Sequence, residues 1–344
     1  MQPEPGGPEG GPVSQHVALL YVSDEDYLDA LVPFVAEGLE SGEKVLVAVP
    51  TDRAALLQNA LSEEAPSEEA PWEGSRSEYP DGGAGVLFLD SPMARPGGRP
   101  ASPAAAIAAY RKLFDAHLGD GVSRLRLVAE VPPALSPADH LAWAQYEAAI
   151  GAAFGGTAVT IVCPYDLRSS PPAVLVRVEH THPDLWRDGR RRPSPGYTDP
   201  ASALRAMPSE AMAVEDFPPA LVLRLGPEVS IPRDALRVVA VRAGLGPDRL
   251  DDLLLAFTEV ATNALIHGSS VARAKVWASN GTVVCTVTDS GPGVDDPLVG
   301  LVPPSHGAEP DPGGLGLWVA RQLCDTLDLV RGPQGTTVRF VVRR

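Results

Sequence analysis

The sequence predicts an α/β domain with a mainly parallel sheet, followed by an α+β domain in which one sheet packs on three helices. Three observations carry this. From residue 14 to 182, short β-branched runs alternate with stretches of helical period, the pattern of βαβ units. From 183 to 217 the alternation stops among Arg187, Arg190, Arg191, Arg192 and several prolines, which reads as a solvated linker. From 218 to 344 two helical stretches precede paired strands and two glycine-rich turns.

The elements follow in order. A lead over 1–13, rich in Gly and Pro, has too few apolar residues to order itself. His16 to Tyr21 reads as a strand, Tyr27 to Leu39 as a helix and Lys44 to Val49 as a strand. Residues 62–83, rich in Glu, Pro, Gly and Ser, read as a surface insertion. Strands resume at Gly85 to Leu89, Leu125 to Ala129 and Ala158 to Cys163, with helices at Pro103 to Leu118 and Pro137 to Phe154 between them. Downstream, Ala220 to Leu225 is a strand, Pro232 to Ala243 a helix, and Asp248 to His267 a helix with an apolar stripe through Leu250, Leu254, Phe257, Val260 and Ala264. Strands at Arg273 to Ala278 and Val283 to Thr288, a helix at Gly316 to Thr326 and a strand at Thr337 to Val342 complete the layer.

Length and composition bound the function. A chain of 344 residues with 44% apolar content suffices for two domains, each with its own core. The net charge of −16, from 28 Lys+Arg against 44 Asp+Glu, argues against direct nucleic-acid binding, which needs a basic face. Cys163, Cys285 and Cys324 are far apart and form no C-x-x-C pair, so neither a disulfide framework nor a zinc site is expected. The N-terminus has no basic and then apolar leader, and no apolar run reaches the roughly 18 residues of a membrane span. A cytoplasmic protein is the expectation.

Chemistry concentrates in the C-terminal third. Glu259 and Asn263 stand four apart in E-V-A-T-N-A-L-I-H-G, so they share one helix face. A carboxamide there can ligate Mg²⁺ while the carboxylate accepts a proton; alone, such a pair reads as solvent-facing polar residues. His267-Gly268 reads as a helix stop. Asp289 ends a β-branched strand and opens D-S-G-P-G, in which Gly291 and Gly293 permit close ligand approach. Gly313-Gly314-Leu-Gly316 then opens a helix whose free N–H groups can hold phosphate oxygens. Between the turns, Val294 to Pro312 carries five prolines and two glycines, suited to a lid.

In combination, over 218–344, these pieces resemble the N, G1 and G2 boxes of the GHKL ATP-binding fold. The wording E-V-A-T-N-A-L-I-H-G is especially similar to the anti-sigma serine kinases of the RsbW type. The resemblance implies ATP and Mg²⁺ as ligands, with Asn263 on Mg²⁺, Asp289 on adenine, and Gly291, Gly293, Gly314 and Gly316 along the nucleotide. It implies Glu259 as general base on a serine hydroxyl of an anti-anti-sigma partner of the STAS type, and a sigma factor as the sequestered protein. Residues 183–258 contain no histidine, which speaks against a sensor histidine kinase, and no G-x-x-x-x-G-K-[ST] occurs. An ATP-dependent binding module without transfer, and an atypical sensor histidine kinase, stay as alternatives.

The N-terminal wording H-V-A-L-L-Y, L-R-L-V-A-E-V-P and C-P-Y-D resembles the MEDS sensory domain, which implies a small-molecule signal. His16, Tyr21, Glu130, Cys163 and Tyr165 sit at strand starts or ends, where open α/β sheets bind ligands. His180 and His182 have the spacing of a chelating pair, but no carboxylate or thiol pattern in the sequence completes a site there. The oligomeric state, a homodimer included, stays open.

Overall fold

The computed structural model describes residues 15–64, 85–91, 101–119, 121–130, 137–207, 213–226, 230–268, 272–302, 312–332 and 335–344. The expected lead over 1–13, positions 65–83 of the expected insertion and positions 303–311 of the expected lid lie outside the described residues. Two compact units emerge. One comprises Met1–Ala94, Tyr110–Leu135 and Phe154–Thr198; the other comprises Arg95–Ala109, Ser136–Ala153 and Asp199–Arg344.

The first unit holds a sheet of seven strands: β1 (Gln15–Tyr21), β2 (Lys44–Ala48), β3 (Gly85–Phe88), β4 (Leu125–Ala129), β5 (Val159–Asp166), β6 (Asp184–Arg187) and β7 (Arg190–Pro193). Their order is β3-β2-β4-β5-β1-β6-β7, and every pair is parallel except the β6–β7 hairpin. Strand β2 is buried along its whole length, as expected of a parallel strand covered on both faces. Helix α1 (Asp24–Glu40) starts at Ser23, whose side chain accepts the Asp26 N–H at 3.0 Å, with Asp24, Glu25 and Asp26 near the positive end of the dipole. With α2 (Thr51–Glu64) it buries Tyr27, Leu31, Val35 and Leu57 among Val17, Val45, Val47 and Val162. Helices α3 (Pro103–His117), α4 (Pro137–Ala153) and α5 (Pro172–Thr181) follow in sequence.

The sequence reading gave no helix at α2 or α5. Within the expected linker, 183–217, the structure has the β6–β7 hairpin, α6 (Pro200–Ala206) and a 3₁₀ turn at Ala213–Asp216. Strand β7, R-R-R-P, is exposed at every position and lies at the sheet edge. Charge and Pro are tolerated there because no further strand among the described residues pairs with it, so its composition reads as linker.

The second unit is built on an antiparallel sheet in the order β11-β12-β10-β9-β8, from β8 (Leu221–Leu225), β9 (Ala272–Ser279), β10 (Thr282–Asp289), β11 (Thr326–Gly332) and β12 (Gly335–Arg343). Strand β11 escaped the sequence reading, because it follows the preceding helix after only two residues. Helices α7 (Ser230–Arg242), α8 (Pro247–Ile266) and α9 (Pro312–Leu323) cover one face. Leu236, Leu253, Phe257, Val260 and Ala320 meet Val276, Cys285, Val287 and Phe340 in a continuous core. This is the two-layer α+β form, one sheet on three helices, expected of the second domain. On the other face Trp277, Val284 and Val341 pack with Val214, and the Trp277 indole donates to the Phe217 carbonyl at 2.8 Å. The 3₁₀ turn therefore serves as a cover for the second sheet. Among the described residues no helix is long and apolar enough to cross a membrane.

Candidate functional site

Helix α8 provides the floor of the site. Pro247 at its first turn and Gly246 at the N-cap start it, and its buried stripe ends at Ala264. His267 caps the C-terminus with its backbone N–H on the Asn263 carbonyl at 2.9 Å. The expected helix stop at His267-Gly268 is present, but Gly268 is absent from the positive-φ residues. Its role is space: a Cβ there would come within 2.7 Å of the Asp289 Cβ.

At the end of β10, Asp289 is buried, and one carboxylate oxygen accepts the Gly291 N–H at 2.8 Å. That bond closes an Asx-type turn and leaves a second acceptor oxygen to the cavity that Asp289 lines. A Cβ on Gly291 would approach the Gly268 Cα to 2.5 Å, so the turn can cross the end of α8 only as glycine. Gly293 has φ +78° and faces the Thr336 hydroxyl.

The glycine turn expected ahead of the last helix is instead its first turn. Helix α9 begins at Pro312, whose fixed φ suits the first helical position, and so includes Gly313, Gly314 and Gly316; Thr326, the expected end of that helix, belongs to β11. At Gly316 a Cβ would lie 2.9 Å from a Glu259 carboxylate oxygen and 3.0 Å from the Asn263 amide nitrogen. Gly316, far in sequence from Glu259 and Asn263, thus stands against both of them.

A cavity of about 470 Å³ opens between these parts. Its walls are apolar, with Val260, Ala264, Val294, Val299, Leu317, Leu329 and Val338, and its polar groups include Asn263, Asp289 and Thr336. Asn263, Asp289 and Gly293 line it; Glu259, Gly291 and Gly316 are not among its described lining residues. Sequence reasoning missed Thr336. It is paired with Asp289 across β10 and β12, it is buried, and its hydroxyl has no hydrogen-bond partner among the described residues. A threonine on a strand carries no signal of its own, so only the register reveals it.

The first nine residues of the expected lid, 294–302, are tied down. Leu301 is buried, the Val299 carbonyl accepts from the Arg321 guanidinium at 3.1 Å, and Asp295 pairs with Arg331. Burial lowers Arg321 to about 10, and its other hydrogen bond, to the Leu327 carbonyl at 2.8 Å, fixes it between the loop and β11.

The cavity fits a flat heteroaromatic amine. Apolar walls take the ring faces, while a carboxylate oxygen and an unsatisfied hydroxyl side by side at one end can recognise a ring-edge amine and nitrogen. No Lys or Arg is among the described lining residues, so a polyphosphate would need backbone N–H groups and a metal ion to balance its charge. The first turn of α9 offers the former and the Asn263 carboxamide a ligand for the latter.

A second concave site lies in the first unit, at the carboxyl ends of β1, β2 and β5 and just beyond β4. Tyr21, Pro50, Arg53, Glu130, Tyr165 and Asp166 line it. The Tyr21 hydroxyl donates to Glu130 at 3.1 Å, and the Arg53 guanidinium lies 5.5 and 5.4 Å from the Tyr21 and Tyr27 ring centres. Burial pushes the Glu130 carboxyl up to about 7, and burial together with the Glu130 charge pushes both phenols above their ordinary range. Of the residues the sequence singled out here, Tyr21, Glu130 and Tyr165 meet at this crevice, whereas His16 and Cys163 do not line it.

Residues 15–183 match the family model of the MEDS domain, described as the methanogen/methylotroph, DcmR sensory domain, and residues 227–342 match that of the histidine kinase-like ATPase domain. No curated protein matches the chain.

Proposed function

We propose that this chain, a MEDS-type sensory region followed by a histidine kinase-like ATPase region, is an anti-sigma regulator that works by partner switching. In this reading the C-terminal unit binds Mg·ATP, sequesters a sigma factor and phosphorylates an anti-anti-sigma partner of the STAS type on serine. The N-terminal unit sets this activity through a small-molecule signal. The observation that carries the nucleotide part is the apolar cavity with Asp289 and the unpaired Thr336 hydroxyl at one end.

The residues would divide the work as follows. Asp289 and Thr336 would hold the adenine edge, and the apolar walls would exclude water from its faces. Asn263 would ligate Mg²⁺, whose contribution is to neutralise charge on the transferring phosphoryl group. The first turn of α9, with Gly314 and Gly316, would present backbone N–H groups to the phosphates. Glu259, one helical turn before Asn263, would accept the proton of the partner's serine hydroxyl.

One observation favours a second reading. Glu259 stands against Gly316 and not among the cavity-lining residues, which suits a module that uses ATP as a conformational ligand without transfer. Calorimetry and a transfer assay separate the two. Mg·ATP should bind the native chain, fail to bind Asn263→Ala and Asp289→Ala, and bind Thr336→Val about tenfold more weakly, the loss of one hydrogen bond. Glu259→Ala should bind but leave the partner serine unphosphorylated. A native chain that binds ATP without serine phosphorylation leaves the binding-module reading; one that ignores ATP removes both.

A further inference from the structure

We infer that His16, Cys163 and His182 form a binding site for a borderline-soft transition metal of the zinc class inside the parallel-sheet unit. Strands β1 and β5 run side by side with Ala18 opposite Cys163. His16, two residues before Ala18, therefore shares a face with that cysteine. The His16 Nε2 to Cys163 Sγ distance is 3.5 Å. His182, the C-cap of α5, brings its ring to 4.0 Å from the His16 ring, centre to centre. One donor atom from each of the three lies within 4.8 Å of the others. All three residues are buried, at 3%, 1% and 0% exposure.

The geometry suits a metal. With Zn–S of about 2.3 Å and Zn–N of about 2.05 Å, the S to N edge of a tetrahedron is about 3.6 Å, against the 3.5 Å found. The His182 ring is also oriented for the task. Its Nδ1 lies 3.0 Å from the Val178 carbonyl, and since a carbonyl only accepts, Nδ1 carries the proton and Nε2 keeps the lone pair. A backbone carbonyl behind a histidine in this way is the usual support of a metal-bound imidazole. Two imidazoles and a thiolate select zinc, cobalt or copper over magnesium or calcium.

The chelating pair suggested by sequence, His180 and His182, is not the site. His180 is exposed and its Nδ1 turns to the Val176 carbonyl at 2.6 Å. Tyr165 joins the cluster to the crevice: its ring meets His182 edge-on at 5.7 Å, and it lines the crevice with Tyr21 and Glu130. Metal occupancy and a signal molecule would thus act on one shared side chain.

The test titrates the metal-free full-length chain with Co²⁺. One equivalent should give the visible bands of four-coordinate cobalt with thiolate-to-metal charge transfer. Cys163→Ser should lose the charge-transfer band, His16→Ala and His182→Ala should bind at least 100-fold more weakly, and His180→Ala should match the native chain. A charge-transfer band that survives in Cys163→Ser, or none in the native chain, overturns the assignment. Should a variant not fold, zinc-edge X-ray absorption of the zinc-loaded native chain decides instead: a sulfur shell near 2.3 Å is expected, and its absence overturns the site.

Discussion

Glu130 is a carboxyl whose burial holds it protonated well above the usual carboxylate range, at about 7 against 4.5 for the free group. Between those values the folded chain keeps a proton that the unfolded chain has released, so stability falls as pH rises through this window. At about 1.4 kcal/mol per pH unit the loss is about 3 kcal/mol. It is complete above pH 7 and absent below pH 4.5. Urea unfolding at pH 5 and pH 8 should show this difference between the native chain and Glu130→Gln, whose stability should be flat with respect to this group. An identical pH dependence in the two proteins would refute the buried-acid account. The residue scale also shows what sequence can supply locally. Glu259, Asn263, Asp289 and the glycines lie in short contiguous motifs, which is why the sequence singles them out as candidates. Thr336 meets Asp289 through strand register, a neighbour distant in sequence, and was not singled out.

At the scale of elements, Arg249 near the start of α8 ties three of them together. It donates to the Arg343 and Leu323 carbonyls at 3.0 and 2.9 Å and to Asp252 and Asp325 at 2.6 and 2.7 Å. Asp325 in turn accepts the Arg343 N–H at 2.7 Å. The guanidinium fork thus fastens the start of α8 to the end of α9 and to the last residues of β12, which keeps α9 in place over Asn263. Arg249→Ala leaves two carbonyls without this donor and Asp325 without its cation. The expected cost is about 2 to 4 kcal/mol. Arg249→Lys should recover only part of it, because an ammonium cannot reach all four acceptors in a planar fork. A fall in the urea midpoint at constant m-value measures this; a loss under about 1 kcal/mol for Arg249→Ala would mean that the elements hold together without the clamp. Helices with strong periodicity, such as α1 and α8, were legible from sequence. Strand β11 and the hairpin β6–β7 were not, because their partners, rather than their own composition, make them strands.

For the whole molecule, the nucleotide reading makes a thermodynamic demand. A ligand bound only by the folded state adds about 2.7 kcal/mol at a hundredfold excess over Kd. Mg·ATP at that excess should therefore raise the unfolding free energy of the unit built on the antiparallel sheet by this amount and leave Asn263→Ala unmoved. Equal stabilisation of the variant would place the nucleotide elsewhere. In that reading a divalent cation and backbone dipoles, rather than lysines and arginines, would meet the phosphate charge in a chain of net charge −16.

By itself the sequence determined the two fold classes and their order, the helix that carries Glu259 and Asn263, and the glycine turn that follows Asp289. These are local facts, set by hydrophobic period and by backbone freedom within a few residues. Only the tertiary structure decided that Gly316 seats against Glu259, that Thr336 stands beside Asp289, and that His16, Cys163 and His182 converge. Strand register and helix docking fix those meetings. Both are settled by burying apolar faces in a shared core, a balance over the whole unit that no single segment of sequence contains.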